Sequence, residues 1–303
     1  MSHPVDSVML AQRAAELAKR SIKTSSKAHG LRLAVSMLDL TTLEGADTPG
    51  RVRALCARAI QPCPVALKAP VPMVAAACVY PRLVPVARTA LGDSGVLVAS
   101  VATAFPSGQS SLELRLRETA AAVVAGADEI DMVISRGLFL SGRYKDVVDE
   151  IRMVRDAASG AHLKVILETG ELETADNIRR AADLVLKAAV SDADLEHGAI
   201  FLKTSTGKVS PAATPSSVLV LLEAARAHYR ATGVRLGIKP AGGIRTAKQA
   251  LHMLVMVRET LGQAWLTPKL FRIGASSLLD DLVRQLLRME DGRYTSMDEV
   301  ALT

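Results

Sequence analysis

Residues 199–208 read Ala-Ile-Phe-Leu-Lys-Thr-Ser-Thr-Gly-Lys, an apolar run that ends at Lys203 and continues into hydroxyls and a glycine. Such a run predicts a strand buried on both faces, as in a parallel sheet covered by helices. We expect the Lys203 ammonium group to be partly desolvated, and desolvation lowers the pKa of a lysine. A neutral amine at the mouth of a pocket can form a Schiff base with a carbonyl carbon. From these residues alone, a structural lysine held in an ion pair is the alternative.

A second stretch has the same pattern. Residues 235–244 read Arg-Leu-Gly-Ile-Lys-Pro-Ala-Gly-Gly-Ile, an apolar run that reaches Lys239 and then two glycines. The two lysines lie 36 residues apart in the chain. Because one strand–helix–strand unit takes about 30 or more residues, this spacing places them at corresponding ends of neighbouring parallel strands. Two ammonium groups that close are expected to lower each other's pKa.

The pattern of an apolar run followed by a helical segment repeats along the chain. The predicted strands cover residues 33–40, 73–79, 95–102, 127–134, 162–168, 199–204, 235–240 and 270–274. The predicted helices cover about 48–60, a segment from Pro81, 111–125, 144–158, 174–189, 215–232, 247–261 and 278–289. Eight strands alternating with eight helices predict a (β/α)8 TIM barrel. We expect one domain over residues 1–303, with a helical N-terminal extension over residues 1–30.

Composition narrows the class of partner. The net charge of +6 is mild, and no arginine-rich run or interleaved aromatic pattern favours nucleic acid. Three cysteines without a CxxC pair indicate a reduced, cytoplasmic protein. The longest uncharged stretch, residues 94–112, is interrupted by proline, glycine and serines, so no membrane span is expected. The N-terminus lacks the apolar core of a secretory signal, although the alanine-rich, basic residues 8–23 leave a transit peptide as an alternative to an amphipathic helix.

Polar residues gather toward the C-terminal ends of the predicted strands, where barrel enzymes place their chemistry. They are Asp39, Thr41, Cys78, Asp131, Lys164, Glu168, Lys203, Lys239, Ser276 and Ser277. Single members have structural explanations: Asp39 as a cap, Cys78 as a small core residue, Glu168 as an ion-pair partner. Several charges converging inside one barrel would be costly without a function, so together they predict an active site.

Three turns after the last three strands resemble one another. They are residues 205–208, 241–243 and 274–277, each with glycine or serine before a helix. Glycine lets backbone N–H groups approach an anion, and a helix N-terminus adds its dipole. The first turn is not a Walker loop, because Leu202 stands where the first glycine belongs and Val209 follows the lysine. A single Gly-Gly turn is commonly a tight turn, but three converging turns predict a phosphate pocket.

These residues together resemble the deoxyribose-phosphate aldolases, a class I, Schiff-base-forming aldolase family on a TIM barrel. The resemblance covers about residues 33–290 and rests on six motifs: Leu-Asp-Leu-Thr-Thr-Leu at 38–43, Cys-Val-Tyr-Pro at 78–81, Ala-Asp-Glu-Ile-Asp-Met-Val at 127–133, Glu-Thr-Gly-Glu-Leu at 168–172, Phe-Leu-Lys-Thr-Ser-Thr-Gly at 201–207 and Lys-Pro-Ala-Gly-Gly-Ile-Arg at 239–245. It implies Lys203 as the Schiff-base lysine, Lys239 as the lysine that lowers its pKa, and Asp131 as acid/base. The implied substrate-binding residues are Asp39, Thr41, Lys164, Gly207, Lys208, Gly242, Gly243, Ser276 and Ser277.

The resemblance implies reversible cleavage of 2-deoxy-D-ribose 5-phosphate to D-glyceraldehyde 3-phosphate and acetaldehyde, in deoxyribose phosphate catabolism. It implies no cofactor and no metal, and the sequence has no HExxH motif or clustered His/Cys site. Partners are then the phosphorylated sugar and the aldehyde, and a homo-oligomer stays open. A transaldolase-like enzyme, a metal-dependent aldolase and a regulatory sugar-phosphate-binding barrel are the alternatives. Some members end in a tyrosine; residues 294–303 differ from that tail, and the role of Tyr294 is open.

Overall fold

Eight short parallel strands form the centre of the protein, whose computed structural model describes residues 4–65, 67–189 and 196–292. The strands are β1 Leu38–Thr41, β2 Ala76–Val79, β3 Leu97–Ala102, β4 Glu129–Val133, β5 His162–Ile166, β6 Ile200–Lys203, β7 Gly237–Lys239 and β8 Ile273–Ala275. They pair in the order β7-β6-β5-β4-β3-β2-β1-β8. Parallel bridges from Ile238 to Phe271 and from Ala241 to Gly274 join the two outer strands. The sheet therefore closes nearly completely, which confirms the predicted (β/α)8 barrel.

Helices surround this barrel. They are α1 Ser7–Ala18, α2 Thr24–Ser36, α3 Pro49–Ile60, α4 Val84–Leu91, α5 Leu112–Val124, α6 Arg136–Leu140, α7 Tyr144–Ala157, α8 Ala175–Ala189, α9 Pro215–Thr232, α10 Ala247–Leu261 and α11 Leu278–Asp291. Local sequence explains several of their ends. Thr214 and Thr246 begin α9 and α10 with capping boxes, and Gly233 ends α9 in the left-handed conformation.

The prediction for residues 33–36 was wrong. They were assigned to the first strand, but α2 continues through Ser36 and β1 begins at Leu38. Ala34 and Val35 are fully buried on α2, which packs against α10 and α11. A short apolar run does not by itself distinguish a buried helix from a buried strand. The helical N-terminal segment thus extends past residue 30 and joins the ring of helices.

Two apolar layers hold the fold together. The larger one lies between the sheet and the helices, and the smaller one comprises Leu43, Ala76, Cys78, Ala99, Val101, Phe105, Val133 and Ile166. Phe201 projects from β6 toward Gly237 of β7, where an added Cβ would lie 2.3 Å from the ring. Glycine at position 237 thus makes room for an aromatic ring beneath the functional site.

No helix in the described ranges has the length and apolar character needed to cross a membrane. Tyr294, whose role the sequence leaves open, lies outside the described residues.

Candidate active site

Asp131 is the centre of the buried polar site. Side chains alternate along a strand, so Glu129 and Asp131 of β4 point to the same side, as the sequence predicts. The Oδ2 atom of Asp131 accepts hydrogen bonds from Lys203 Nζ at 2.7 Å and from Lys239 Nζ at 2.6 Å. Its Oδ1 atom accepts from Lys164 Nζ at 3.2 Å. One carboxylate therefore brings three lysines from three successive strands together.

The two lysines singled out by spacing are neighbours in the sheet. Lys203 of β6 is in register with Lys239 of β7. Because both Nζ atoms bond to the same oxygen of Asp131, they lie at most about 5.3 Å apart. The prediction that they occupy corresponding ends of adjacent parallel strands is confirmed.

A second layer of charges lies around Arg272. Its guanidinium donates to Asp39 Oδ1 at 2.6 Å and to Glu129 Oε1 at 2.8 Å. Asp39 Oδ2 also contacts Lys239 Nζ at 2.5 Å, and Glu129 also accepts from Lys164. Sequence reasoning did not assign Arg272 to the site. The available signal was an arginine inside the apolar run Leu-Phe-Arg-Ile-Gly at 270–274, a position that needs a buried partner.

Burial and neighbouring charge give the lysines opposite ionisation behaviour. Burial lowers the pKa of Lys203, and the Lys239 ammonium lowers it further against the opposing effect of Asp131. Burial also disfavours the charged forms of Lys239 and Lys164, but Asp131 with the neighbouring carboxylates outweighs burial and raises the pKa of each. The expected effect of Lys239 on Lys203 is present, because the Lys239 ammonium lowers the pKa of Lys203. The net pKa of Lys239 itself is raised, because Lys239 contacts two carboxylates.

The buried acids stay ionised. Burial raises the pKa of Asp131, but the three ammonium groups around it outweigh that effect and hold its pKa well below the usual range. Burial likewise opposes ionisation of Asp39, and its pKa is lowered chiefly by Lys239 and Arg272. Burial raises the pKa of Cys78 to about 11, so its thiol is neutral at ordinary pH.

A pocket of about 170 Å³ opens above this cluster. Its lining comes from the β1 end and from the three turns after β6, β7 and β8: Thr41, Leu43, Glu44, Lys203, Thr206, Gly207, Lys208, Ala241, Gly242, Gly243, Ile244, Arg245, Gly274, Ala275, Ser276 and Ser277. Among the seven charged residues of the buried cluster, Lys203 is the one that reaches this lining. Lys203 is thus the member of the cluster that can contact a ligand in the pocket.

Close backbone packing joins two of the turns. Gly242 has φ of +85°, and a Cβ there would lie 2.6 Å from the Ala212 Cβ and 2.9 Å from the Gly207 Cα. Glycine is therefore required at position 242 both for backbone conformation and for space. Ser277 precedes the first turn of α11, so the N-terminal end of that helix meets the pocket.

A family model described as DeoC/LacD family aldolase matches residues 33–283. The chain belongs to this aldolase family. Deoxyribose-phosphate aldolase of Mus musculus is 46% identical over 94% of this chain and 90% of its own length, and that of Homo sapiens is 44% identical over the same shares. A crystal structure of a putative deoxyribose-phosphate aldolase from Coccidioides immitis superposes with a TM-score of 0.67 at 27% identity, covering 90% of this chain and 94% of that one.

Within this aldolase, the residues predicted from sequence fall into two groups. Thr41, Gly207, Lys208, Gly242, Gly243, Ser276 and Ser277 line the pocket together with Lys203. Asp39, Asp131, Lys164 and Lys239 are fully buried beneath it, inside the charged cluster. The first group can touch a ligand directly, and Lys203 lies between the pocket and the second group.

Two features of the pocket were missed by sequence reasoning, and the ion pair expected for Glu168 is present beneath it. Arg245 adds an exposed cation to the lining. Glu44 accepts a hydrogen bond from Lys208 Nζ at 2.8 Å, so this lysine is paired within the pocket lining. Glu168, which was expected as an ion-pair partner, accepts from the backbone N–H and the hydroxyl of Thr206 as well as from Arg136. That contact anchors the β6 turn from below.

Proposed function

We propose that this aldolase reversibly cleaves 2-deoxy-D-ribose 5-phosphate to D-glyceraldehyde 3-phosphate and acetaldehyde through a Schiff base on Lys203. One observation carries the proposal: of the three lysines around Asp131, Lys203 alone reaches the pocket lining and has a lowered pKa, while Lys239 and Lys164 behind it are held charged. A free amine is the nucleophilic form of lysine. The mouse and human relatives, both named deoxyribose-phosphate aldolase, support the same substrate.

Covalent chemistry begins at the aldehyde carbon of the open-chain sugar. The Lys203 amine adds to this carbon to give a carbinolamine, which loses water and leaves a protonated imine. The proton then leaves the sugar's third-carbon hydroxyl, the bond between the second and third carbons breaks, and its electron pair moves into the enamine. D-Glyceraldehyde 3-phosphate departs, the enamine takes a proton on carbon, and water hydrolyses the resulting imine to acetaldehyde and free Lys203.

Asp131 is proposed to handle protons in the carbinolamine and enamine steps. Its Oδ2 atom lies 2.7 Å from Lys203 Nζ, and the same oxygen bonds to Lys239 Nζ. Lys239, which is held charged, can therefore give a proton to this oxygen and take one back from it. Positioned acid/base groups of this kind contribute about 10² to 10⁴ in rate.

The phosphate of the substrate is proposed to bind across the three turns after β6, β7 and β8. Backbone N–H groups at Gly207, Gly242 and Gly243, the hydroxyls of Ser276 and Ser277, and the α11 N-terminus all border that part of the pocket. Lys208 would exchange its ion pair with Glu44 for the phosphate. Thr41, at the end of β1, also lines the pocket and is proposed to contact the sugar. Asp39 and Lys164 are proposed to act indirectly, because both are fully buried.

A cytoplasmic location and a homo-oligomeric state remain part of the proposal. The first is supported by three cysteines, Cys56, Cys63 and Cys78, all free and buried. The second stays a prediction to be measured by light scattering of the purified protein.

The decisive experiment traps the imine. Acetaldehyde and borohydride are added to the protein, and the modified lysine is mapped by mass spectrometry. We expect a two-carbon adduct on Lys203, and none on that residue in Lys203→Met, which keeps a side chain of similar length. Chelator should leave turnover unchanged.

The alternatives give different outcomes in the same assay. Adduct on Lys164 or Lys239 would reverse the assignment of the nucleophile. Binding of deoxyribose 5-phosphate without any imine would indicate a regulatory barrel. Loss of turnover with chelator would indicate a metal-dependent aldolase, and failure to use acetaldehyde as donor would favour a transaldolase-like enzyme.

A further inference from the structure

The charged cluster inside the barrel is unbalanced when every member is ionised. Its acids are Asp39, Glu129 and Asp131, and its bases are Lys164, Lys203, Lys239 and Arg272. Each of these seven side chains is at most 3% exposed. Three negative charges face four positive charges. Because an uncompensated charge is costly away from water, the cluster favours the state in which one base has lost its proton.

Arg272 cannot be the base that loses it, since a guanidinium stays protonated in proteins. Lys239 contacts two carboxylates, Asp39 and Asp131. Lys164 contacts Glu129 and Asp131 and lies 3.7 Å from Asp39. Lys203 is paired with Asp131. Of the three lysines it has the fewest carboxylate partners among the described residues, and it is the one next to the pocket.

The place of Arg272 explains why Lys203 is left with one carboxylate. Arg272 spans Asp39 and Glu129 through its two terminal nitrogens. Arg272, a cation that does not lose its proton, thereby occupies one oxygen of Asp39 and both oxygens of Glu129. The three lysines must share these two carboxylates with Arg272 and otherwise depend on Asp131 for negative charge. The Phe201 ring, 5.8 Å from both the Arg272 guanidinium and Lys164 Nζ, closes the layer from below.

We propose that Arg272 is a positioning residue that keeps Lys203 as a free amine. Its permanent positive charge gives the cluster one positive charge too many, and the cluster removes that excess when Lys203 loses its proton. The inference rests on the proposed function, in which the Lys203 amine is the nucleophile. The other side chains that face the cluster are Cys78 on β2, a neutral thiol, the apolar Ala99 and Val101 on β3, and His162, whose Nδ1 atom lies 3.7 Å from Glu129 at the rim. Arg272 thus acts on the reaction without touching the substrate.

The net charge of the cluster predicts that the pH midpoint of imine trapping shifts in opposite directions in different variants. The readout is the pH at which imine trapping of acetaldehyde on Lys203 is half-maximal. Arg272→Met removes the surplus, so this midpoint should rise by about one unit or more. Glu129→Gln adds to the surplus and should lower it. The double variant Arg272→Met/Glu129→Gln restores the original count and should bring the midpoint back toward that of the unmodified protein.

Arg272→Lys is the matched control, because it keeps the charge but loses the two-pronged contact. It should leave the midpoint near that of the unmodified protein even if the melting temperature falls. If Arg272 has only a structural role, these variants should lose stability or rate, but their pH midpoints of imine trapping should not follow the net charge of the cluster.

The possible outcomes distinguish failure of the proposed role of Arg272 from failure of the proposed function of Lys203. If the unmodified protein forms no adduct on Lys203, the proposed function fails. If it does, and folded Arg272→Met and Glu129→Gln share its midpoint, the charge-balance role of Arg272 is refuted. Should Arg272→Met not fold, Glu129→Gln alone still decides, since an unmoved or raised midpoint there contradicts the proposal.

Discussion

Replacing Gly242 with alanine tests the phosphate pocket at its tightest point. The new Cβ would lie 2.6 Å from the Ala212 Cβ and 2.9 Å from the Gly207 Cα, and neither atom belongs to a flexible side chain. The backbone at position 242, with φ of +85°, is also strained for any residue with a Cβ. Such strain costs about 1 to 3 kcal/mol in the free energy of unfolding. The turns after β6 and β7 must therefore move apart, and their backbone N–H groups move away from the proposed phosphate site.

The kinetic effect should depend on the phosphate. Losing one charge-assisted hydrogen bond costs about 1.5 to 3 kcal/mol, which corresponds to a drop of about 10- to 150-fold in kcat/KM for deoxyribose 5-phosphate. Unphosphorylated 2-deoxyribose, which we expect to be a poorer substrate by at least about tenfold, should lose little further. The assay is steady-state cleavage of both sugars, with glyceraldehyde or its phosphate measured by a coupled reductase.

The control for backbone strain is Gly233→Ala at the end of α9. Gly233 has φ of +75° with nothing within 4 Å of an added Cβ, and it lies outside the pocket lining. It should lose stability but keep the preference for the phosphorylated sugar. If Gly242→Ala lowers kcat/KM equally for both sugars, or for neither, the turns do not bind the phosphate.

The remaining predictions concern the ionisation of the buried cluster. Asp131→Asn should lower kcat by about 10² to 10⁴ while leaving binding of a phosphorylated ligand intact, and near-normal turnover would remove this carboxylate from the mechanism. Lys239→Met removes a cation at most about 5.3 Å from Lys203 Nζ, so the pKa of Lys203 should rise. At an effective dielectric constant of about 20 the lost repulsion is about 3 kcal/mol, and the pH midpoint of imine trapping should move upward by about two units. A folded Lys239→Met protein with an unmoved midpoint would show that the two lysines are not coupled.

Particular residues show how far sequence reasoning reached at the site. Local sequence was enough to identify Lys203, Lys239 and the turn glycines, because each lysine ends an apolar strand and glycines follow it. Arg272 was visible as an anomaly but had no identifiable partner. Its carboxylates, Asp39 and Glu129, stand 233 and 143 residues away in the chain, and a contact across that separation leaves no local signal.

The sequence by itself determined the order of strands and helices, and so the barrel, because the apolar pattern of each strand and the capping residues at helix ends are local properties. It also placed Lys203, Lys239 and Asp131 near the C-terminal ends of their strands. Only the tertiary structure decided which groups touch. Closure of the sheet brings Asp131 against three lysines and sets Arg272 beneath them, and these distances decide that Lys203 has a lowered pKa while that of Lys239 is raised. Electrostatic coupling depends on separation and burial, and neither is local in sequence.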